Sequence, residues 1–171
     1  VLEGHTCAIE TFAVSSDADI KARNVDLHIN DGSLGINFDV RGLLEASFHL
    51  NIPGRFSVYN ALTSIAICRH FDISIERMKE SLENIRIKGR LEPINISNNF
   101  TLIIDYAHNA MSLESLLSTL KEYKPNRLVC LFGCGGNRSK LRRYEMGEIS
   151  SRIADLTIVT SDNPRFEKPE E

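Results

Sequence analysis

The 171-residue sequence lacks most of the features that would assign it quickly to a class. No apolar run approaches the ~20 residues needed to span a bilayer, so no membrane partner is expected. No charged-then-apolar leader is visible, which leaves a cytoplasmic setting as the expectation. The formal net charge is only -3, so no global field attracts nucleic acid. Cysteine is scarce. Cys7, Cys68, Cys130 and Cys134 include one CxxxC pair but no second Cys or His pair at a zinc spacing. They read as reduced, structural thiols. The phosphate-binding spacing GxxxxGK[ST] is absent, and GCGGNR does not give GxGxxG. No internal repeat or low-complexity segment is evident. The chain starts at Val1 without methionine and stops at Glu171 in a charged tail, so it reads as a fragment of something longer.

What is present is an ordinary globular composition, 42% hydrophobic and 25% charged, enough for one domain or two small ones. The first fifty or so residues read as β-rich. Ala8–Val14 holds an apolar core. Val25–Ile29 alternates with period two, and Asn30-Asp31-Gly32 signals a hairpin into Ile36–Val40. Leu44–Leu50 reads as a further strand, ended by Pro53-Gly54. A helix pair follows, with stripes Tyr59, Leu62, Ile65, Ala66 and then Ile75, Met78, Leu82, Ile85; Ser74 suits the second N-cap.

After Lys88-Gly89-Arg90 the pattern becomes alternating strand and helix. Leu91–Ile96 and Thr101–Ile104 read as strands around an Asn98-Asn99 turn. Leu113, Leu116, Leu117 and Leu120 form an i, i+3, i+4, i+7 helix face. Leu128–Phe132 and Leu156–Thr160 read as strands flanking a helix over Arg143–Ile153. This alternation implies a parallel sheet and places a domain boundary near Ile87–Arg90, giving units 1–87 and 88–171.

Three loops can carry chemistry. Asp105 and His108 follow the apolar run Leu102–Ile104. They suit a ribose hydroxyl, base or phosphate, or equally a helix cap and a surface histidine. Gly133–Arg143 packs Arg138, Lys140, Arg142 and Arg143 behind a glycine-rich turn. Cations at a helix start oppose its dipole, so they call for an anion or an acidic neighbour. Asp162-Asn163-Pro164-Arg165 presents both signs of charge and suits a zwitterion such as an amino acid, or is an ordinary Asx-type turn. The last two loops should share one sheet edge, where open α/β sheets bind ligands. Arg90 at the junction and Asn60 on the first helix are open between ligand contact and plain surface.

GRFSVYNALTSIA, IKGRLEPI, IDYAHNAMSLES, FGCGGNRSKLRRYEMGEI and IVTSDNPRFEKP, in this order, resemble the Mur ligases from about Asp19 onward. The resemblance implies the end of a central ATPase domain followed by an incomplete Rossmann-like ligase domain. The P-loop and the carbamylated lysine would lie upstream, so no catalytic residue of that set is expected here. It implies ATP and Mg2+, and an acyl phosphate formed on a UDP-MurNAc-dipeptide carboxylate and then attacked by an amine. Asn60, Arg90, Asp105 and His108 would contact ATP. Arg143 matches the arginine of a KRP-type segment, and Asp162, Asn163, Pro164 and Arg165 match a DNPR motif; these would read the incoming amino acid. Arginine at the last position is similar to enzymes that add meso-diaminopimelate, whose extra carboxylate it can pair bidentately. Alternatives are an L-lysine-adding homologue, a folylpolyglutamate-synthase-like ligase, and a non-catalytic nucleotide- or precursor-binding module. The chain departs from the family pattern at Asn109-Ala110-Met111 (usually Thr-Pro-Asp), at Asn137 (usually Asp), and in lacking the proline of KRPxMG at Tyr144.

Overall fold

A computed structural model describes residue 4 and residues 6–30, 33–94, 96–97 and 99–169. The fold is mixed α/β, in two compact units, Val1–Ile103 and Ile104–Glu171. The expected change of pattern at Ile87–Arg90 falls within the first of these.

The first unit is built on a four-stranded sheet in the order β1 (Phe12–Ala13), β2 (Ile20–Asn30), β3 (Ser33–Gly42), β4 (Ala46–Leu50). β1 runs parallel to β2; the other pairs are antiparallel. The final β2–β3 pair is Asn30 with Ser33, and the intervening Asp31 and Gly32 lie outside the described residues. Period-two patterning decides the faces. Ile36, Phe38 and Val40 of β3 join Ile20, Ala22, Phe48 and Leu50 in one buried cluster. Burial of each of these side chains larger than Ala22 contributes roughly 1.5–3 kcal/mol.

Two helices close that cluster, α1 (Arg55–Arg69) and α2 (Ile75–Asn84). α1 buries Ser57, Val58, Ala61, Leu62 and Ile65, whereas Tyr59, expected in the stripe, is exposed. A stripe centred on Val58, Ala61, Leu62 and Ile65 points Tyr59 off its edge. The Ser57 hydroxyl donates to the Pro53 carbonyl at 2.8 Å, which satisfies the one polar group on this face. Ser74 caps α2 by accepting from the Arg77 N–H at 3.4 Å. Met78 and Leu82 are buried, while Ile85 terminates the helix and is exposed.

The opposite face of the β2–β4 sheet is polar and carries two histidines whose ring centroids lie 4.6 Å apart, His28 and His49. His28 Nδ1 is buried without a hydrogen-bond partner. Burial and the nearby His49 ring push the His28 pKa below its ordinary 6.5, with Asp26 opposing. The folded state therefore binds fewer protons at this site than the unfolded chain, and stability rises with pH through the window below about 6.5. The urea midpoint followed by circular dichroism should be lower at pH 5.5 than at pH 7.5, about where histidine charge changes. H28Q should narrow that gap; an unchanged gap would assign it to other groups. The window is separate from that of Asp39, held below its ordinary 3.8 by hydrogen bonds from Ser47 and Asn24.

β5 (Glu92–Ile94) and β6 (Leu102–Ile104) pair with each other. Asn95 and Asn98, expected in the first strand and the turn, lie outside the described residues. The second unit continues through α3 (Ala110–Glu122), β7 (Val129–Phe132), α4 (Lys140–Ile153) and β8 (Leu156–Val159). β7 and β8 are parallel neighbours in register from Val129–Leu156 to Phe132–Val159. The parallel sheet expected from the β6–α3–β7–α4–β8 alternation is seen, among the described residues, in the β7–β8 pair. β6 is only three residues long, and its ladder is made with β5.

The core of this unit is Leu113, Leu117, Leu128, Cys130 and Met146, with Leu116 and Leu120 packed against it. This is the leucine face read from the sequence. Asn109 caps α3 by accepting from Ser112 N–H at 2.9 Å, within a capping box. Asp155 ties the layers together by accepting from Leu128 N–H at 2.6 Å and from Lys121 Nζ at 3.1 Å. Among the described residues, no helix is long and apolar enough to cross a membrane.

Candidate functional site

Because β7 and β8 are parallel neighbours, the loops that follow them leave the same edge. The first loop runs from Gly133 to Ser139 and enters α4; the second runs from Thr160 through Glu167. Thr160 N–H donates to the Phe132 carbonyl at 3.0 Å, and Gly136 N–H donates to the Asn163 carbonyl at 2.8 Å. A Cβ at Gly133 would fall 2.6 Å from the Thr160 oxygen, and one at Gly136 would fall 1.9 Å from the Pro164 oxygen. These glycines are needed for one loop to lie against the other.

The two loops are further stitched by side chains. Asn137 Oδ1 accepts from Phe166 N–H at 3.1 Å, and Glu167 Oε1 accepts from Asn137 N–H at 2.8 Å. Glu167 Oε2 pairs with the Arg143 guanidinium. That pair is partly buried, the side chains being 23% and 21% exposed. Arg143 holds the Glu167 carboxyl below the usual range, and Glu167 raises the Arg143 pKa in turn. Asn163 Oδ1 accepts from Arg165 N–H at 3.1 Å, an Asx-type turn. Asn137 and Arg165 both have left-handed backbones, φ 53° and 52°. That region suits asparagine and is uncommon for arginine.

α4 begins at Lys140, earlier than the expected Arg143, with Ser139 in the cap position but no side-chain cap bond. Its first turn has no acidic residue. The acidic neighbour that the basic run called for arrives instead from the other loop, as Glu167. Sequence reasoning did not single out Glu167; the uncompensated cations at a helix start were the available signal. Asp162, Asn163 and Arg165 are exposed, and Pro164 is half-buried. Among the described residues Arg165 forms no ion pair, so its guanidinium is open to a ligand. Burial raises the Cys134 pKa, and its thiol lies 3.7 Å from the Met146 sulfur. With Cys130 buried as well, the CxxxC pair is two free thiols.

The other candidate residues lie apart in the chain's organisation. Asp105 Oδ1 accepts from Ala107 N–H at 2.8 Å, and His108 is exposed with its ring 5.2 Å from that of Tyr106. Both belong to the second unit, with the stitched loops. Asn60, exposed on α1, and Arg90, exposed after Gly89, belong to the first. Among the described residues, no group of three His, Cys, Asp or Glu side chains could hold a metal ion.

Comparison with known proteins places this geometry. Residues 89–171 match the family model described as Mur ligase, glutamate ligase domain. A UDP-N-acetylmuramoyl-L-alanyl-D-glutamate--2,6-diaminopimelate ligase of Clostridium perfringens is 39% identical over 163 residues, covering 94% of this chain and 33% of the relative. A counterpart from Clostridium acetobutylicum is 43% identical over 166 residues, with the same coverage of 94% and 33%. The chain therefore spans about a third of the length of the curated relatives it matches. A solved structure of a ligase of the same name superposes with TM-score 0.65 at 27% identity, over 94% of this chain and 33% of that one. Folylpolyglutamate synthase from Thermotoga maritima shares the fold, with TM-score 0.65 at 24% identity over 84% of this chain and 33% of that one. With its second unit inside the matched domain and its first unit continuing the alignment to these relatives, the chain belongs to the Mur ligase family.

Proposed function

We propose that the chain is part of an ATP-dependent amide ligase that adds meso-diaminopimelate to UDP-N-acetylmuramoyl-L-alanyl-D-glutamate in peptidoglycan synthesis. The observation that carries this reading is the stitched edge, where Arg143 in the first turn of α4 and Arg165, which forms no ion pair among the described residues, flank loops held together by Gly136, Asn137 and Glu167. Two guanidinium groups at one edge, Arg143 held by Glu167 and Arg165 exposed, suit a substrate with two carboxylates, which such planar forks can pair. Asp162 supplies an acceptor for an ammonium group, so the edge complements a zwitterion with one extra acid.

ATP would pass its γ-phosphoryl group to the precursor carboxylate, releasing ADP and leaving an acyl phosphate; the amine, after losing a proton, would attack that carbonyl and inorganic phosphate would leave. The residues of this chain would bind and orient. The half-buried Asp105 carboxylate, which accepts from Ala107 N–H, would meet a ribose hydroxyl, and the exposed His108, Asn60 and Arg90 would be further nucleotide contacts. Arg143 and Arg165 would fix the amino acid so that its amine meets the acyl carbon, which is where positioning lowers the barrier. Mg2+ would come with the ATP phosphates; among the described residues no group of three His, Cys, Asp or Glu side chains could hold it alone. Because the reaction consumes ATP, we assign it to the cytoplasm.

Amino-acid-dependent phosphate release by the full-length protein, given ATP, Mg2+ and the UDP-muramoyl dipeptide, tests the assignment. Release should require meso-diaminopimelate and be weak with L-lysine. Release with neither would end this reading, and equal release with both would leave a ligase without the proposed selectivity.

A further inference from the structure

We infer that Glu167 is a positioning residue that holds the Arg143 guanidinium in place for a carboxylate of the incoming amino acid. The inference rests on the proposed ligase reading and adds to it a residue outside the DNPR segment. Glu167 spends both carboxylate oxygens inside the protein. Oε1 accepts the Asn137 N–H at 2.8 Å, and Oε2 pairs with Arg143. Its own N–H donates to the Pro164 carbonyl at 2.9 Å, which folds the chain back after the Asp162–Arg165 turn. One residue, through its side chain and its backbone N–H, therefore connects three parts of the edge: the glycine loop, the first turn of α4 and the turn that presents Arg165.

This arrangement differs from a carboxylate standing in for a missing substrate. A stand-in would need only the guanidinium. Glu167 is also anchored by a backbone amide, and that amide belongs to Asn137, whose side chain reciprocates through Phe166 N–H. The Glu167 contact also leaves Arg143 incompletely satisfied. Arg143 Nε is buried and has no hydrogen-bond partner. A buried donor without an acceptor is costly, while the exposed part of the side chain, 23% of it, leaves the guanidinium a face for a ligand carboxylate. Glu167 thus fixes one part of the guanidinium and leaves another for the ligand.

Charge removal without loss of shape tests this. In the full-length enzyme, E167Q keeps an oxygen for the Asn137 N–H and loses the ion pair. KM for meso-diaminopimelate should rise about tenfold, while KM for ATP and for the UDP-precursor stays within about twofold. E167D, which keeps the charge one methylene back, should fall between E167Q and wild type. In an R143A background, adding E167Q should raise that KM no further, because Glu167 acts through Arg143. A lowered KM in E167Q would make Glu167 a competitor of the ligand and overturn the inference. Equal changes for all three substrates, or full additivity with R143A, would reduce it to a general structural role and overturn it too. A wild-type enzyme inert toward diaminopimelate but active with another amino acid would instead overturn the functional reading, and this inference with it.

Discussion

Replacing Arg165 by alanine in the full-length enzyme is expected to raise KM for meso-diaminopimelate by about a hundredfold and to erase its preference over lysine. The magnitude follows from what is lost. A bidentate arginine–carboxylate pair is among the stronger side-chain contacts, and lysine as a substrate offers no second carboxylate to pair with. Stability should change by less than about 0.5 kcal/mol, because the side chain is exposed and forms no ion pair among the described residues. The turn should also survive, since Asn163 Oδ1 accepts from the Arg165 backbone N–H, which alanine retains. R165K keeps the charge without the fork and should recover only part of the selectivity. Steady-state kinetics with both amino acids read the outcome. An unchanged ratio in R165A would remove Arg165 from the amino-acid pocket.

A second large effect is expected from a single methyl group. In Gly136→Ala the added Cβ would lie 1.9 Å from the Pro164 oxygen and 2.6 Å from its carbonyl carbon. Backbone cannot rotate aside as a flexible side chain can, so the loops must separate. Separation would break the Gly136–Asn163 hydrogen bond and strain the Asn137–Glu167 contacts. Overpacking and a lost hydrogen bond together cost about 2–4 kcal/mol, enough for a loss of about thirty- to several-hundred-fold in kcat/KM for the amino acid. Gly135→Ala is the internal control. Its Cβ would meet nothing closer than 3.8 Å, so near-normal activity is expected. If both variants behave alike, the close approach of the loops is not what matters at this edge.

Much of this architecture was legible from local pattern. Ser74 and the leucines of α3 stand out because capping and 3.6-residue periodicity are properties of short windows. β7 and β8 were legible as apolar runs, and a helix between them dictates parallel pairing, hence loops on one edge. What stayed hidden depends on distant partners. Tyr59 could be counted into a helix stripe because tyrosine is apolar enough for either side of a boundary. The pairing of β6 with β5 is not a property of either three-residue run. Gly136 is only one glycine of a glycine-rich turn in the sequence, which does not show the Pro164 backbone pressed against it. Glu167 was the hardest, since its partners Asn137 and Arg143 lie far back in the chain. The basic run did signal a missing acid, but spacing gave no address for it.

The central claim is that the Gly133–Arg143 and Thr160–Glu167 segments together form the amino-acid pocket. Hydrogen exchange on the full-length enzyme, with and without meso-diaminopimelate in the presence of the other substrates, tests it directly. The account predicts slowed exchange in both segments together, at amides including Gly136, Asn137 and Arg165, and a loss of that protection in R165A. Protection confined to other parts of the protein, with these two segments unchanged while product forms, would contradict it.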